Sequence, residues 1–237
     1  MKVAHFKFDA GLRTLLQCNH KAGAFDYSFR GPQSAKHLIE SVGIPHTEIG
    51  EVLVDGRSAG AEYLVNDGDS MDVAGIPPGA GILAEPRFIL DGHLGKLNAH
   101  LRMLGFDCLY RHNYDDATLR DTSVAMARVL LTRDRHLLMQ KAITQGYLPR
   151  SMDPTQQTRE VVRRFGLQRW IRPFLRCIRC NGILAPVPKE QVIGRLEPLT
   201  RLYFEDFRIC PDCHQLYWRG SHFQQMERII AELRSID

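Results

Sequence analysis

The chain has 237 residues, enough for one large domain or two modest ones that each bury a core. Its 44% hydrophobic and 24% charged fractions are those of an ordinary soluble protein, and no apolar run approaches the roughly twenty residues that a bilayer span needs. The net charge of +4 hides a division: before Pro86 there are 7 Lys+Arg against 11 Asp+Glu, and from Pro86 onward 24 against 16, so the second part is the one to attract a polyanion.

The opening "MKVAHFKFDAGLRTLL" puts polar residues where a signal peptide needs a greasy stretch, which predicts a cytoplasmic protein. Two half-buried strands follow from the alternation in "VAHFKFD" and "AFDYSFR". "QSAKHLIESVG" spaces Ala35, Leu38, Ile39 and Val42 as one helix face and stops at Gly43. "EVLVDG", "AEYLV" and "DSMDVAG" read as short strands joined by Asp-Gly turns. This order predicts a β-grasp domain over residues 1–75. The stretch "LVDGRSAGAEYLVNDGDSMDVAGI" resembles the ubiquitin-like sulfur carriers of the ThiS and MoaD type. Those carriers act through a free C-terminal Gly-Gly, whereas this chain runs on through "IPPGAG", so an interaction module is the better expectation than sulfur carriage.

"GIPPGAGILAEP" holds three prolines and three glycines and marks a linker over 76–86. Beyond it the pattern alternates. "RFILD" is strand-like, "LGKLNAHLRMLG" is helical with Leu94, Leu97, Leu101 and Leu104 on one face, and "FDCLY" is a strand. "DDATLRDTSVAMA" gives a helix opened by an aspartate, then come strand "RVLLT" and helix "RDRHLLMQKAITQG". Such alternation over 87–170 predicts an α/β domain with a parallel sheet. Residues 171–237 are Cys-rich and basic, closed by the helix "SHFQQMERIIAEL".

In an open α/β sheet, ligands collect at the carboxyl ends of the strands. Asp91 ends the first strand, Asp115 and Asp116 follow the second, and Asp134 follows the third. For each alone, a helix N-cap is the better reading. Gathered together, the same carboxylates would repel by roughly 4 kcal/mol per pair at about 4 Å and an effective dielectric of 20, and would call for a hard divalent cation such as Mg²⁺ or Mn²⁺. Lys96, Arg102 and Arg133, or Arg135 in place of the last, are candidates to hold a phosphate. The competing reading for each is a solvated surface cation.

Of six cysteines, four form the pairs Cys177/Cys180 and Cys210/Cys213, and two CxxC turns offer one tetrahedral zinc site. With four sulfur ligands no position stays open for catalysis, so the zinc is expected to be structural. Redox-active CxxC pairs are the alternative. Cys18 and Cys108 are expected to be small buried residues, and His214 and His222 ordinary polar ones. Arg172, Arg176, Arg179, Lys189, Arg195, Arg201, Arg208 and Arg219 lie around the knuckles with Trp170, Tyr217 and Trp218 among them, a mixture that suits phosphates and unpaired bases.

"FILDGHLGKLNAHLRMLGFDCLY", "YDDATL", "VLLTRDRHL", "PFLRCIRCNGILAPVPKE" and "CPDCHQLYWRGSHFQQM" resemble, in order, the PIN-like ribonuclease family of the Mut-seven C-terminal type, over about residues 86–233. An N-terminal ubiquitin-like domain is known from the same family. The resemblance implies a PIN-like Rossmannoid domain, a zinc ribbon behind it, and metal-dependent hydrolysis of RNA that leaves 5'-phosphate and 3'-hydroxyl ends. By position it places the acidic site at Asp91, at Asp116 with Asp115 beside it, and at Asp134, with Asp153 in "RSMDP" as a weaker additional candidate. One departure is visible: Ala99 and His100 stand where an Arg-Trp pair is expected. The expected partners are single-stranded RNA, a protein for the β-grasp domain, no membrane, and a second copy, since PIN-type nucleases often pair. A non-catalytic RNA-binding adaptor with a zinc ribbon is the alternative.

Overall fold

The computed structural model describes residues 1–17, 20–80 and 84–235, except for the side chains of 221, 222 and 224–226. The expectations for Cys18, for linker residues 81–83 and for the His222 side chain lie outside the described residues. In chain order the elements are β1 (Lys2–Phe8), α1 (Ala10–Arg13), β2 (Ala24–Phe29), α2 (Ala35–Ser41), β3 (Ile49–Val54), β4 (Arg57–Ala59) and β5 (Ser70–Gly75). Next come β6 (Phe88–Leu90), α3 (Gly95–Met103), β7 (Cys108–Tyr110), α4 (Asp116–Ala125), β8 (Val129–Leu131), α5 (Arg135–Leu138), β9 (Gly146–Tyr147) and α6 (Pro154–Arg164). The last are β10 (Ala185–Val187), α7 (Lys189–Val192), α8 (Pro198–Tyr203), β11 (Phe207–Ile209), β12 (Leu216–Trp218) and α9 (Ser221–Arg234). Packing divides them into two compact units: Met1–Ala80 with Asp115–Arg150, and the described residues of Gly81–Tyr114 with Ser151–Asp237.

In the first unit a five-stranded sheet has the order β2-β1-β5-β3-β4, with β1 parallel to β5 and the other pairs antiparallel. Alternation along β1 buries Ala4, Phe6 and Phe8 and turns His5 and Lys7 outward, and the two phenylalanine rings stack 5.4 Å apart. Helix α2 begins where Ser34 accepts from His37 N–H and buries Ala35, Leu38 and Ile39. This is the β-grasp arrangement. Asp55 and Gly56, both at positive φ (49° and 75°), form the two-residue turn that pairs Val54 with Arg57.

Two expected elements change here. "AEYLV" is not a strand: only Leu64 bridges, to Ser34, because Asp69 draws the Tyr63 hydroxyl (3.0 Å) and the Asn66 N–H (2.7 Å) into a local turn. The helix expected over 133–146 is the single turn α5, since the chain folds back at Gln140–Ile143 and then runs parallel to β8 as β9, pairing Leu130 with Gly146.

Within this unit the β-grasp residues are fastened to 115–150 by polar side chains. Glu48, 4% exposed, accepts from Leu148 N–H at 2.8 Å and from Arg150 Nη2 at 2.7 Å. His46 Nε2 lies 2.7 Å from the Ile143 carbonyl, and Arg135 Nη1 donates to the Leu15 carbonyl at 2.6 Å.

In the second unit β6 and β7 pair in parallel, Phe88 opposite Cys108, and α3 packs on α6. Both strands of such a pair are covered, which is why β6 reads as an unbroken apolar run. The Phe88 ring meets Phe106 and Phe165 edge-on at 6.2 and 5.7 Å. Behind them β10, β11 and β12 form an antiparallel sheet. Helix α9 buries Phe223, Ile230 and Leu233 and is tied by Arg159 to Glu232 and by Arg234 to the Ile171 carbonyl. Among the described residues no helix is long and apolar enough to cross a membrane.

Candidate active site and metal centre

Each acid singled out by the sequence stands at the start of a helical turn. Asp91 follows β6 and its Oδ1 accepts from His93 N–H at 3.3 Å. Asp115 Oδ1 accepts from Thr118 N–H at 2.7 Å, opening α4, and Asp116 is the first residue of that helix. Asp134 Oδ1 caps α5 through His136 N–H (2.7 Å) and Leu137 N–H (3.3 Å), and Asp153 Oδ1 caps α6 through Gln156 N–H (2.9 Å). The caps hold the carboxylates of Asp91, Asp115, Asp134 and Asp153 at the ends of elements. Hydrogen bonds from the Thr118 side chain and N–H keep the Asp115 carboxyl below the usual carboxylate range.

The turn after Asp91 is shaped by two glycines. A Cβ on Gly92 would collide with the His112 carbonyl, and one on Gly95 would press on the Tyr110 ring; the Tyr110 hydroxyl donates to the Gly92 carbonyl at 2.9 Å. Gly92→Ala is therefore expected to shift the Asp91 turn and to cost about 1–3 kcal/mol, read as a lower melting temperature.

The cysteines come together. Their Sγ atoms all lie within 4.8 Å of one another, with Cys177 3.5 Å from Cys213 and Cys180 3.3 Å from Cys210. Bonds of about 2.3 Å to a tetrahedral zinc put sulfurs roughly 3.8 Å apart, so the set fits zinc and closes its coordination shell. The two knuckles are built alike. Cys177 and Cys210 N–H donate to the Gly182 and Gln215 carbonyls, and Asn181 and His214 N–H donate back to the Cys177 and Cys210 carbonyls. Asn181 and His214 both take positive φ, 74° and 57°. His214, which the sequence offers only as a polar residue, thus closes the second knuckle in a conformation that asparagine, histidine and glycine tolerate and β-branched residues do not. His214→Val is expected to weaken zinc retention in a chelator competition, while His214→Gly keeps it.

Burial pushes the Cys177 thiol up, but hydrogen bonds from Tyr217, from Cys180 N–H and with Cys213 outweigh it and bring the thiol down to about 7. Tyr217 Oη lies 3.1 Å from Cys177 Sγ and accepts from Ile178 N–H.

Among the described residues the four cysteines are the group of three or more His, Cys, Asp or Glu whose ligand atoms meet in this way; Asp115, Asp116 and Asp134, which share a compact unit, do not. Lys96 and Arg133 are exposed. Arg102 is a correction. It is 5% exposed, and its guanidinium donates to the carbonyls of Cys108, Ile178 and Arg179 at 2.8–3.1 Å, so it braces the first knuckle against β7 instead of meeting a phosphate. Asn181 adds to the brace through Cys108 N–H and Asp107, and Arg176 Nη2 lies 3.5 Å from Asp107. Cys108 is buried as expected. At the departure from the family pattern, His100 Nδ1 sits 3.0 Å from Thr158 Oγ1, and burial lowers its pKa from the ordinary histidine value.

A β-grasp sheet, parallel strand pairs followed by aspartate-capped turns, and four clustered cysteines define the class: an α/β protein with a ubiquitin-like module and a cysteine cluster compatible with a zinc ribbon. The chain belongs to the Mut7-C RNAse domain family, whose model matches residues 86–230, and the Mut7-C ubiquitin model matches residues 1–77. No curated protein and no solved structure matches the chain.

Proposed function

We propose that the protein is a cytoplasmic, metal-dependent ribonuclease that hydrolyses phosphodiester bonds of single-stranded RNA. The observation that carries this reading is the match of residues 86–230 to an RNase domain, together with an aspartate at the helix start behind β6 and behind β8 and two more at the start of α4. Asp91, Asp115, Asp116 and Asp134 are the oxygen donors for Mg²⁺ or Mn²⁺, with Asp153 as an outlying fifth. A hard cation held there would supply charge neutralisation at the phosphodiester and lower the pKa of the attacking water. The chain's own part is positional. The caps fix the carboxylates of Asp91, Asp115 and Asp134, the lowered pKa of Asp115 keeps that group ionised, and Lys96 and Arg133 offer exposed cations to the phosphate. The zinc is structural, and the β-grasp domain recruits a protein partner.

A second reading, an RNA-binding adaptor without catalysis, draws on one observation: every one of the capping acids already has a structural task at a helix start. The two separate in an assay of end-labelled single-stranded RNA with zinc-loaded protein, with and without added Mn²⁺ or Mg²⁺. Cutting that requires the added ion and leaves 5'-phosphates supports the nuclease. Cutting indifferent to the ion contradicts it, and RNA bound but never cut favours the adaptor.

A further inference from the structure

The ribbon sheet has two unlike faces. Phe207 and Leu216 point to one side, where they bury Val192 and Leu196. On the other side Pro186, Arg208 and Tyr217 stand in a row, neighbours by strand register. That row lines a cleft of about 580 Å³, walled by Pro173, Phe174 and Arg219. Phe174 has φ 61°, a conformation that a bulky residue keeps only where its surroundings enforce it, and such outliers gather at binding sites. Here the Arg208 guanidinium donates to the Phe174 carbonyl at 3.2 Å, and the Arg219 guanidinium lies 5.8 Å from the Phe174 ring and 5.5 Å from Phe223.

We propose that this cleft is a nucleotide subsite, in which one unpaired base of an RNA strand stacks against Phe174 and the proline faces while Arg219 and Arg208 take its phosphate. Flat apolar walls suit a base of any sequence, and two guanidinium groups suit a phosphate. The acids at the rim do not cancel this. Glu205 is engaged by Lys189 at 2.6 Å, and Asp206 is an acceptor for an exocyclic amine. The volume lies within the range of pockets that hold a nucleotide-sized ligand. The inference rests on the RNA reading above and adds to it a second contact point, carried on the ribbon.

The test is fluorescence anisotropy of a labelled single-stranded RNA of ten nucleotides, with full-length zinc-loaded protein carrying Asp91→Asn so that the strand stays whole. Phe174→Gly, which the positive φ accommodates, is expected to weaken binding about tenfold without altering its salt dependence. Arg219→Ala is expected to weaken it by a similar factor and to lower the slope of log Kd against log salt by about one. RNA carrying 5-iodouracil should crosslink to Phe174 or Tyr217. Unchanged affinity in Arg219→Ala, or crosslinks confined to other segments, would overturn the subsite. A proline-rich peptide that displaces the RNA from wild type but not from Arg219→Ala would assign the cleft to RNA and peptide alike, and a peptide bound where RNA is not would overturn the proposal. Cleavage by the wild type is read separately, so a subsite that binds in a protein that never cuts would sink the nuclease reading alone.

Discussion

Removing the zinc, by chelation or by Cys210→Ser, is expected to unfold the segment from Cys177 to Trp218 while the β-grasp sheet stays folded. The ribbon's apolar clusters are small. One gathers Val192, Leu196, Phe207 and Leu216, the other Cys177, Leu184 and Cys210, and the ordering entropy of so many residues exceeds what clusters of this size return. A zinc ion held by the four thiolates would supply the difference, on the order of 10 kcal/mol in structural zinc sites. Without it, thiols 3.3–3.5 Å apart across the two knuckles have nothing to hold them together. Limited proteolysis reads the outcome: new cuts between the knuckles, with residues 1–75 still protected. Since the ligands bind zinc as thiolates, retention should also fall as pH drops. A chelated protein whose ribbon resists protease as before would show that packing alone sustains it.

Glu48→Ala is the second large effect, a loss of about 3–5 kcal/mol. The carboxylate is 4% exposed and takes three donors, the Leu148 N–H and both Nη atoms of Arg150. Truncation strands the buried Leu148 N–H and takes the carboxylate from the part-buried Arg150 guanidinium, and losing one partner of such a pair is the costly outcome. Arg150 retains the Leu148 carbonyl and the face of Tyr147, 4.5 Å from its centroid, which limits the loss. Glu48→Gln keeps an acceptor for the Leu148 N–H and should cost roughly half as much. Urea denaturation of both variants measures this, and near-equal midpoints for wild type and Glu48→Ala would show that the pair is neutral.

Much of this architecture is legible in the sequence because it depends on local pattern. The alternation in β1, the Ser34 cap of α2, the Asp-Gly turn at 55 and 56 and the CxxC spacing each name their structure from neighbouring residues. What resists reading depends on distant partners. Arg102 sits on a helix like any surface arginine, and only the Ile178 and Arg179 carbonyls, more than seventy residues on, make it a buried brace. Glu48, in "HTEIG", carries no pattern at all, yet it meets a residue a hundred positions away. "AEYLV" has strand composition but lies in a turn that Asp69 organises. The acids keep both readings in the sequence, because a cap and a metal ligand want the same residue at the same place.

The most direct measurement is cleavage of single-stranded RNA in Mn²⁺ by wild type, Asp91→Asn and Asp134→Asn, all zinc-loaded, with RNA affinity measured alongside. A site built on these carboxylates predicts a fall in cleavage of at least about a hundredfold, roughly 2.7 kcal/mol of transition-state stabilisation, with affinity changed by less than about threefold. Equal cleavage by all three proteins would contradict the assignment.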